Sequence, residues 1–280
     1  MTDKNILVLY HGGGCSDGFG AAYAAWCKFK NTADYLPVNY GDSPPDVTGK
    51  EVYILDFSYK RDVLIAMHAQ AKSLLVLDHH LSAQQDLAGL DFAIFDMNRS
   101  GCVMAWEHFI PQGLIPLGLR LIQDRDLWRF KYPQTKAYTA ALRALVPQTF
   151  EKWHTEVFFD LQAQDLANRG EDLLEVFDKD VAEIAKHKHK IVLRGIEGLA
   201  CNAPSKYASE LGNVLAKESG SFGAVYSYDG ASAQWMYSLR SVGAFDVSII
   251  AKHWGGGGHK NAAGFSSIFL TGFDRTERHV

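Results

Sequence analysis

Short apolar runs alternate with helical patterns from the start of this chain, and this alternation constrains the fold most. Ile6–Tyr10, Val52–Asp56 and Leu74–Leu77 have the composition of buried strands, and helical patterns follow at Phe19–Phe29 and Arg61–Ala71. Strands that alternate with helices form a parallel sheet with helices packed on its faces. The fold class predicted is therefore α/β, beginning with a parallel-sheet domain.

The chain is long enough for more than one domain. With 280 residues, of which 47% are hydrophobic, it is expected to form two domains rather than one. The predicted division is a first α/β domain at 1–130, a helical connector at 131–190 and a smaller α/β domain at 191–273, followed by a tail at 274–280. We expect the active site in the cleft between the two domains.

Composition and charge exclude several classes of protein. A net charge of −4 argues against a broad basic face that grips long nucleic acid, although a short anionic ligand needs only a few cations. The four cysteines lack the paired spacing of a disulfide framework or a zinc ribbon. Ile6–Tyr10 is too short for a signal-peptide core or a membrane span, so a cytoplasmic location without membrane contact is expected. A homodimer is compatible with the sequence but is not indicated by it.

Carboxylates and imidazoles mostly follow the predicted apolar strands or helices. They are His11, Asp17, Asp56, Asp78, His79, His80, Asp124 and Asp126. Ligands of open α/β sheets lie beyond the carboxyl ends of the strands, so we expect most of these side chains to converge. Mixed imidazole and carboxylate donors suit manganese, iron or zinc. Two such ions could share one carboxylate, and Asp56 is the natural candidate for that bridge.

The same residues carry a resemblance to the DHH family of phosphoesterases. Val76–His80, with the letters VLDHH, resembles the signature that names the family. Three further stretches, His11–Gly18, Leu55–Ser58 and Leu121–Phe130, resemble its other motifs in the expected order. The chain resembles in particular the short members of the family, such as oligoribonucleases and RecJ-like phosphodiesterases. These members lack the added domain of the larger RecJ exonucleases.

The resemblance implies a binuclear manganese centre. One ion would be held by His11, the residue at position 15 and Asp56. The other ion would be held by Asp17, Asp56, His79 and an aspartate of the last motif, while His80 would face the substrate phosphate. Of the two aspartates in that motif, Asp124 is favoured over Asp126 because it directly follows the apolar stretch Leu119–Ile122.

Position 15 departs from the family pattern, because Cys15 stands where the family has an aspartate. Three readings stay open: a weaker metal site, a site with a thiolate ligand, or a site that fills only when substrate arrives. One or two Mn²⁺ ions are therefore expected, and other divalent metals stay possible.

The second domain contains a glycine-rich stretch near its end. It resembles the GGGH-x-x-AAG motif of the domain that accompanies DHH domains, which binds the substrate. Its residues are Gly255, Gly256, Gly257, Gly258, His259, Ala262, Ala263 and Gly264. Glycines let a backbone approach a ligand closely, and His259 adds a donor for an oxyanion. Arg240, in the preceding strand, is predicted to hold phosphate and, with His80, to stabilise charge.

These features predict an enzyme that hydrolyses phosphodiester bonds in short oligonucleotides or dinucleotides through metal-activated water. Two alternatives are open. The same centre could serve a phosphomonoesterase or pyrophosphate-type hydrolase that acts on a small nucleotide such as bisphosphorylated adenosine. Cys15 could instead leave a nucleotide-binding protein with little or no turnover.

Overall fold

The computed structural model describes residues 4–145 and 148–272, and the predicted tail at 274–280 lies outside them. The chain forms two compact units, one up to Glu175 and the other from Val176 onward. Within the described ranges, no helix is both long enough and apolar enough to cross a membrane.

The first unit contains a parallel sheet of five strands. Its strands are β1 (Ile6–His11), β2 (Ala33–Val38), β3 (Glu51–Leu55), β4 (Ser73–Asp78) and β5 (Ala93–Phe95). Its helices are α1 (Ser16–Phe29), α2 (Arg61–Gln70), α3 (Leu81–Asp86), α4 (Gly101–Phe109), α5 (Leu117–Asp126), α6 (Thr135–Ala144), α7 (Phe150–Glu156) and the first part of α8 (Asp160–Ala185). The strand order is β2-β1-β3-β4-β5, one of the common orders of doubly wound α/β folds.

Both faces of this sheet are buried, which explains why its strands are continuously apolar. Successive side chains of a strand point to opposite faces. Val8 and Tyr10 accordingly join the hydrophobic cluster that contains α1, α4 and α5 residues, while Leu7 and Leu9 join the cluster with α2 residues. The sequence pattern and the packing of the first sheet therefore agree.

The second unit contains a mixed sheet of six strands. They are β6 (His189–Leu193), β7 (Ile196–Asn202), β8 (Phe222–Asp229), β9 (Gln234–Ser241), β10 (Gly257–His259) and β11 (Ala262–Ser267), in the order β10-β11-β9-β8-β7-β6. The helices α9 (Ala208–Ser219) and α10 (Ser248–His253) accompany them. Among the described strands of this second sheet, only β7 and β8 pair in parallel. The predicted α/β class is confirmed.

Two details differ from the sequence-based expectations. The compact division falls inside α8, so that α6 and α7 group with the first unit instead of forming a separate connector. The glycine-rich stretch has the composition of a loop but forms the antiparallel hairpin of β10 and β11. Glycine has a low strand propensity, so the sequence alone gives little sign of such a hairpin.

Candidate metal centre

The strand order of the first sheet brings three predicted site residues together. His11 ends β1, Asp56 directly follows β3 and Asp78 ends β4, and these three strands are neighbours in the sheet. In this sheet the strand order reverses between β1 and β3, since β2 lies on one side of β1 and the later strands lie on the other. Doubly wound folds bind their ligands at such a switch point. His11 and Asp56 therefore lie on the two sides of the expected ligand position.

Asp56 faces two sets of donors with its two carboxylate oxygens. Its Oδ2 lies 3.5 Å from His11 Nδ1 and 3.5 Å from Cys15 Sγ. Its Oδ1 lies 3.1 Å from His79 Nε2. The side chain is almost fully buried. One carboxylate thus connects the His11 and Cys15 side of the site with the His79 side.

His79 belongs to a second set of donors. Its Nε2 lies 3.6 Å from Asp17 Oδ2 and 3.5 Å from Asp126 Oδ2. Donor atoms of Asp17, His79 and Asp126 all lie within 4.8 Å of one another, as do those of His11, Cys15 and Asp56. Each set has the residue types and the spacing of a metal-binding cluster.

The N-terminus of α4 positions two of these carboxylates. Asp17 accepts hydrogen bonds from the backbone N–H groups of Gly101, at 2.6 Å, and Cys102, at 3.1 Å. These N–H groups have no partner inside the helix, and the helix dipole favours a negative charge there. A Cβ atom on Gly101 would lie only 2.4 Å from Asp56 Cβ, so the first residue of α4 must be glycine for Asp56 to occupy its place.

Asp56 also has an uncommon backbone conformation, with a φ of +55°. A non-glycine residue in this region costs about 1–2 kcal/mol, and such strain often occurs at functional sites. The turn that follows β1 is shaped differently, since Gly13 and Gly14 adopt φ values of +64° and +80° without that penalty. The glycines of the first motif therefore build the tight connection between β1 and α1.

Asp78 orients His80 by hydrogen bonds. Asp78 Oδ1 accepts from His80 Nδ1 at 2.6 Å and from the backbone N–H of His79 at 2.7 Å, while Oδ2 accepts from Ser58 Oγ at 2.6 Å. Burial lowers the pKa of His80, but the charge of Asp78 and its hydrogen bond outweigh burial and raise the pKa to about 9. In the metal-free protein His80 is therefore a cation at neutral pH, and its hydrogen bond to Asp78 holds the ring in place.

Asp126, and not the favoured Asp124, is the aspartate of the last motif whose carboxylate approaches His79. The carboxylate of Asp124 accepts hydrogen bonds from Lys131 N (2.9 Å), Tyr132 N (3.2 Å) and Thr135 Oγ1 (2.6 Å). Helix α5 extends through Asp126, and residues two apart on a helix point in different directions. Asp126 therefore reaches His79, while Asp124 organises the turn after the helix.

Crowding of carboxylates gives the centre an unusual set of pKa values. Burial and the charges of Asp56 and Asp126 raise the pKa of Asp17 well above its usual value. Burial would also raise the pKa of Asp56, but its polar contacts with His11 and His79 outweigh burial and hold it well below its usual value. Burial lowers the pKa of His79, while the hydrogen bond with Asp56 and the nearby carboxylates raise it to about 10. A divalent cation would relieve the repulsion among these carboxylates, so the residues fit a metal centre.

The predicted residues of the second unit form a row across its sheet. Arg240 on β9 lies opposite Ala262 on β11, which in turn lies opposite His259 on β10. Directly opposed residues share one face of a sheet, so Arg240 and His259 flank a small side chain. Arg240 donates hydrogen bonds to Ser209 Oγ at 2.9 Å and to the carbonyl oxygen of Leu239 at 2.8 Å. The arrangement offers positive charge and donors to an anion.

Several residues of the glycine-rich motif have structural reasons for their identity. A Cβ on Gly256 would lie 2.0 Å from the carbonyl oxygen of Gly264, and one on Gly258 would lie 2.5 Å from that of Ala262. Ala263 is buried in the core of the second unit. Close packing of the hairpin therefore accounts for part of this motif without a ligand.

Gly101, Ser58 and Tyr40 belong to the surroundings of the centre but were not among the predicted site residues. Tyr40 lies beside the ring of His11, with 5.6 Å between ring centroids. Gly101 lies outside the motifs that indicated the site. Its contact with a residue 45 positions earlier could not be read from spacing alone.

Comparisons with known proteins give one clear relative. No family model matches the chain. An uncharacterized protein of Acanthamoeba polyphaga mimivirus, R106, is 36% identical over 295 residues, which covers 95% of this chain and 69% of the viral protein.

Three solved structures resemble the chain at low sequence identity. An uncharacterized protein from Helicobacter pylori G27 has 14% identity and a TM-score of 0.44, with 96% of this chain and 95% of that chain covered. The pGpG-specific phosphodiesterase PggH from Vibrio cholerae has 14% identity and a TM-score of 0.48, with 94% and 93% covered. RecJ from Thermus thermophilus, in complex with Mn²⁺, has 15% identity and a TM-score of 0.45, with 93% and 49% covered. At 36% identity over nearly its whole length, this chain belongs to the same family as the mimivirus protein R106.

Proposed function

We propose that this protein is a metal-dependent phosphoesterase of the DHH type, which hydrolyses phosphodiester bonds in short oligonucleotides or dinucleotides. The observation that carries the proposal is the position of Asp56, whose two carboxylate oxygens face two separate donor sets. A shared carboxylate is the arrangement by which two divalent ions are held close together for phosphoryl chemistry. The motifs of the first unit support the same assignment.

The residues divide between two metal positions. His11, Cys15 and Asp56 would form one, and Asp17, Asp56, His79 and Asp126 would form the other. When bound, divalent ions such as Mn²⁺ supply activation of water and neutralisation of the charge that develops on the phosphoryl oxygens. The second position, with carboxylate and imidazole donors only, is the one we propose for Mn²⁺.

Other side chains of the first unit prepare the site for an anion. Asp78 fixes the orientation of the His80 ring through a hydrogen bond at Nδ1, so the other ring nitrogen would be the one to donate to a phosphate oxygen. Asp17 is fixed by the N–H groups at the start of α4, so it would not need to reorganise when a ligand binds.

In the second unit, Arg240 and His259 would bind a phosphate of the nucleotide. Arg240 is held in place by Ser209, and its guanidinium offers several donors in a fixed plane. Ala262, which stands between them in the sheet, has a side chain shorter than either of its two neighbours.

The proposal is tested by assaying the purified protein with Mn²⁺ against a short RNA, a cyclic dinucleotide and 3′,5′-bisphosphoadenosine. We expect cleavage of a phosphodiester substrate. Asp56→Asn should abolish turnover, because the amide lacks the charge and the second acceptor that both donor sets share. Asp91→Asn, which alters an exposed carboxylate outside the site, should leave the rate unchanged.

Other results would replace the proposal. Release of phosphate from the bisphosphoadenosine alone would assign a phosphomonoesterase to the same centre. Tight nucleotide binding without product under any divalent metal would identify a binding protein. Full turnover by Asp56→Asn would show that the reaction does not require the Asp56 carboxylate.

A further inference from the structure

We infer that His11, Cys15 and Asp56 form a site for a thiophilic divalent cation such as Zn²⁺ or Fe²⁺, with the Cys15 thiolate as a ligand. The neighbouring set of Asp17, His79 and Asp126 would keep the harder Mn²⁺. This inference rests on the proposed metal centre, and it specifies that the two positions of that centre bind different metals.

The chemistry of the donors separates the two sets. Asp17, His79 and Asp126 supply only oxygen and nitrogen, whereas the other set contains one sulfur atom, one imidazole nitrogen and one carboxylate oxygen. Thiolates select zinc, copper(I) and iron over magnesium, calcium or manganese. Three protein ligands with one open position is the usual pattern of a catalytic zinc site.

Distances between the donor atoms agree with a tetrahedral site. In a tetrahedral site, the metal bonds to sulfur have a length of about 2.3 Å and those to oxygen or nitrogen about 2.1 Å. These lengths place sulfur and oxygen about 3.6 Å apart, and nitrogen and oxygen about 3.4 Å apart. The corresponding separations here are 3.5 Å for Cys15 Sγ to Asp56 Oδ2 and 3.5 Å for His11 Nδ1 to Asp56 Oδ2. Right angles, as in an octahedral site, would require about 3.0 Å at the same bond lengths.

His11 gives an independent indication of a ligand. Its Nδ1 atom is buried and makes no contact of hydrogen-bond geometry with the described residues, although it lies 3.5 Å from Asp56 Oδ2. A buried polar atom without a well-formed hydrogen bond is unfavourable, and a bond to a cation would satisfy it. Nδ1 lies 3.5 Å from the same oxygen that Cys15 approaches, so one cation could contact all three side chains.

Capping alone does not explain the cysteine. Cys15 is the N-cap of α1, and its Sγ lies 3.4 Å from the backbone N–H of Gly18. Helix N-termini prefer serine, threonine, aspartate or asparagine at this position, so a cysteine brings no capping advantage. Burial and the charges of Asp56 and Asp17 raise the pKa of the Cys15 thiol well above its usual value, and a bound cation would displace its proton.

The test uses cobalt(II) as a spectroscopic substitute in the full-length protein after removal of metal. Bound Co²⁺ with a thiolate ligand gives an intense near-ultraviolet charge-transfer band, and we expect this band in the wild type. Cys15→Ser retains a good N-cap but lacks the thiolate, so it should fold normally and lose the band. Cys27→Ser, on the same helix but outside both donor sets, is the matched control and should keep it.

Competition between zinc and manganese provides the second readout. Loss of a side chain that only hydrogen-bonds to a metal ligand alters metal affinity about 10- to 100-fold, so loss of a direct ligand in Cys15→Ser should weaken Zn²⁺ binding by at least about tenfold. Cys15→Asp should instead bind Mn²⁺ at both positions, because it replaces sulfur with oxygen.

The outcomes distinguish this inference from the proposed function. Mn²⁺-dependent hydrolysis without a charge-transfer band in the wild type would overturn the inference and leave the function intact. A band that persists in Cys15→Ser would also overturn it, since another cysteine would be the ligand. A band that depends on Cys15 in a protein without turnover would support the inference while the proposed function fails.

Discussion

Substitution of Gly101 by alanine tests how the first turn of α4 positions the centre. The new Cβ would lie 2.4 Å from Asp56 Cβ and 2.7 Å from Asp56 Oδ1. Carbon atoms in contact normally lie about 3.5–4.0 Å apart, so Asp56 or the start of α4 must move by more than about 1 Å. Asp17 would be disturbed as well, because the same N–H group of Gly101 donates to it.

Two effects of different size are expected for Gly101→Ala. A displacement of about 1 Å in a catalytic constellation can lower the rate about 100-fold. Overpacking costs about 1–3 kcal/mol of the free energy of unfolding, partly offset by the better helix propensity of alanine, which contributes at most about 1 kcal/mol. The protein should therefore stay folded but lose metal affinity and phosphodiester hydrolysis.

Calorimetric titration with Mn²⁺, phosphodiesterase rates and urea unfolding measure these effects separately. Gly230→Ala is the matched control, since no atom lies within 4 Å of its added Cβ and its backbone does not have a positive φ. It should change none of the three quantities. Wild-type metal affinity and stability in Gly101→Ala would refute the close packing of Asp56 against α4.

Three further results are expected. Asp124→Ala should lower the free energy of unfolding by on the order of 3 kcal/mol in urea unfolding, because three hydrogen bonds of a buried carboxylate are lost. Asp126→Asn should instead weaken Mn²⁺ binding in calorimetry with little effect on stability; the reverse pattern would restore Asp124 as the ligand. In the metal-free protein, the pKa of His80 is raised from 6.5 in the unfolded chain to about 9 in the folded protein. Protonated His80 therefore stabilises the fold by up to about 3 kcal/mol at any pH below 6.5, and this stabilisation is lost as the pH rises through about 9. Urea unfolding across this range should show a smaller decline for Asp78→Asn, and an equal decline would exclude Asp78 as the main cause.

Much of the first unit could be predicted from the sequence because its strands are short, apolar and separated by helical patterns. The ends of β1, β3 and β4 carry His11, Asp56 and Asp78, and a parallel sheet brings such ends together. The two carboxylate oxygens of Asp56 face His11 and Cys15 on one side and His79 on the other.

Other features depend on contacts that spacing does not reveal. The choice between Asp124 and Asp126 required the true end of α5, which determines where each side chain points. Gly101 matters only because the fold brings it against Asp56. The hairpin of β10 and β11 is held by backbone pairing and close packing of glycines, which have low strand propensity.

The central claim is that one carboxylate, that of Asp56, joins two metal positions. Crystals grown with Zn²⁺ and Mn²⁺ and measured at the absorption edge of each metal would locate both ions by anomalous scattering. The account predicts two peaks, one beside each carboxylate oxygen of Asp56. Peaks that lie elsewhere, with none within bonding distance of Asp56, would contradict it.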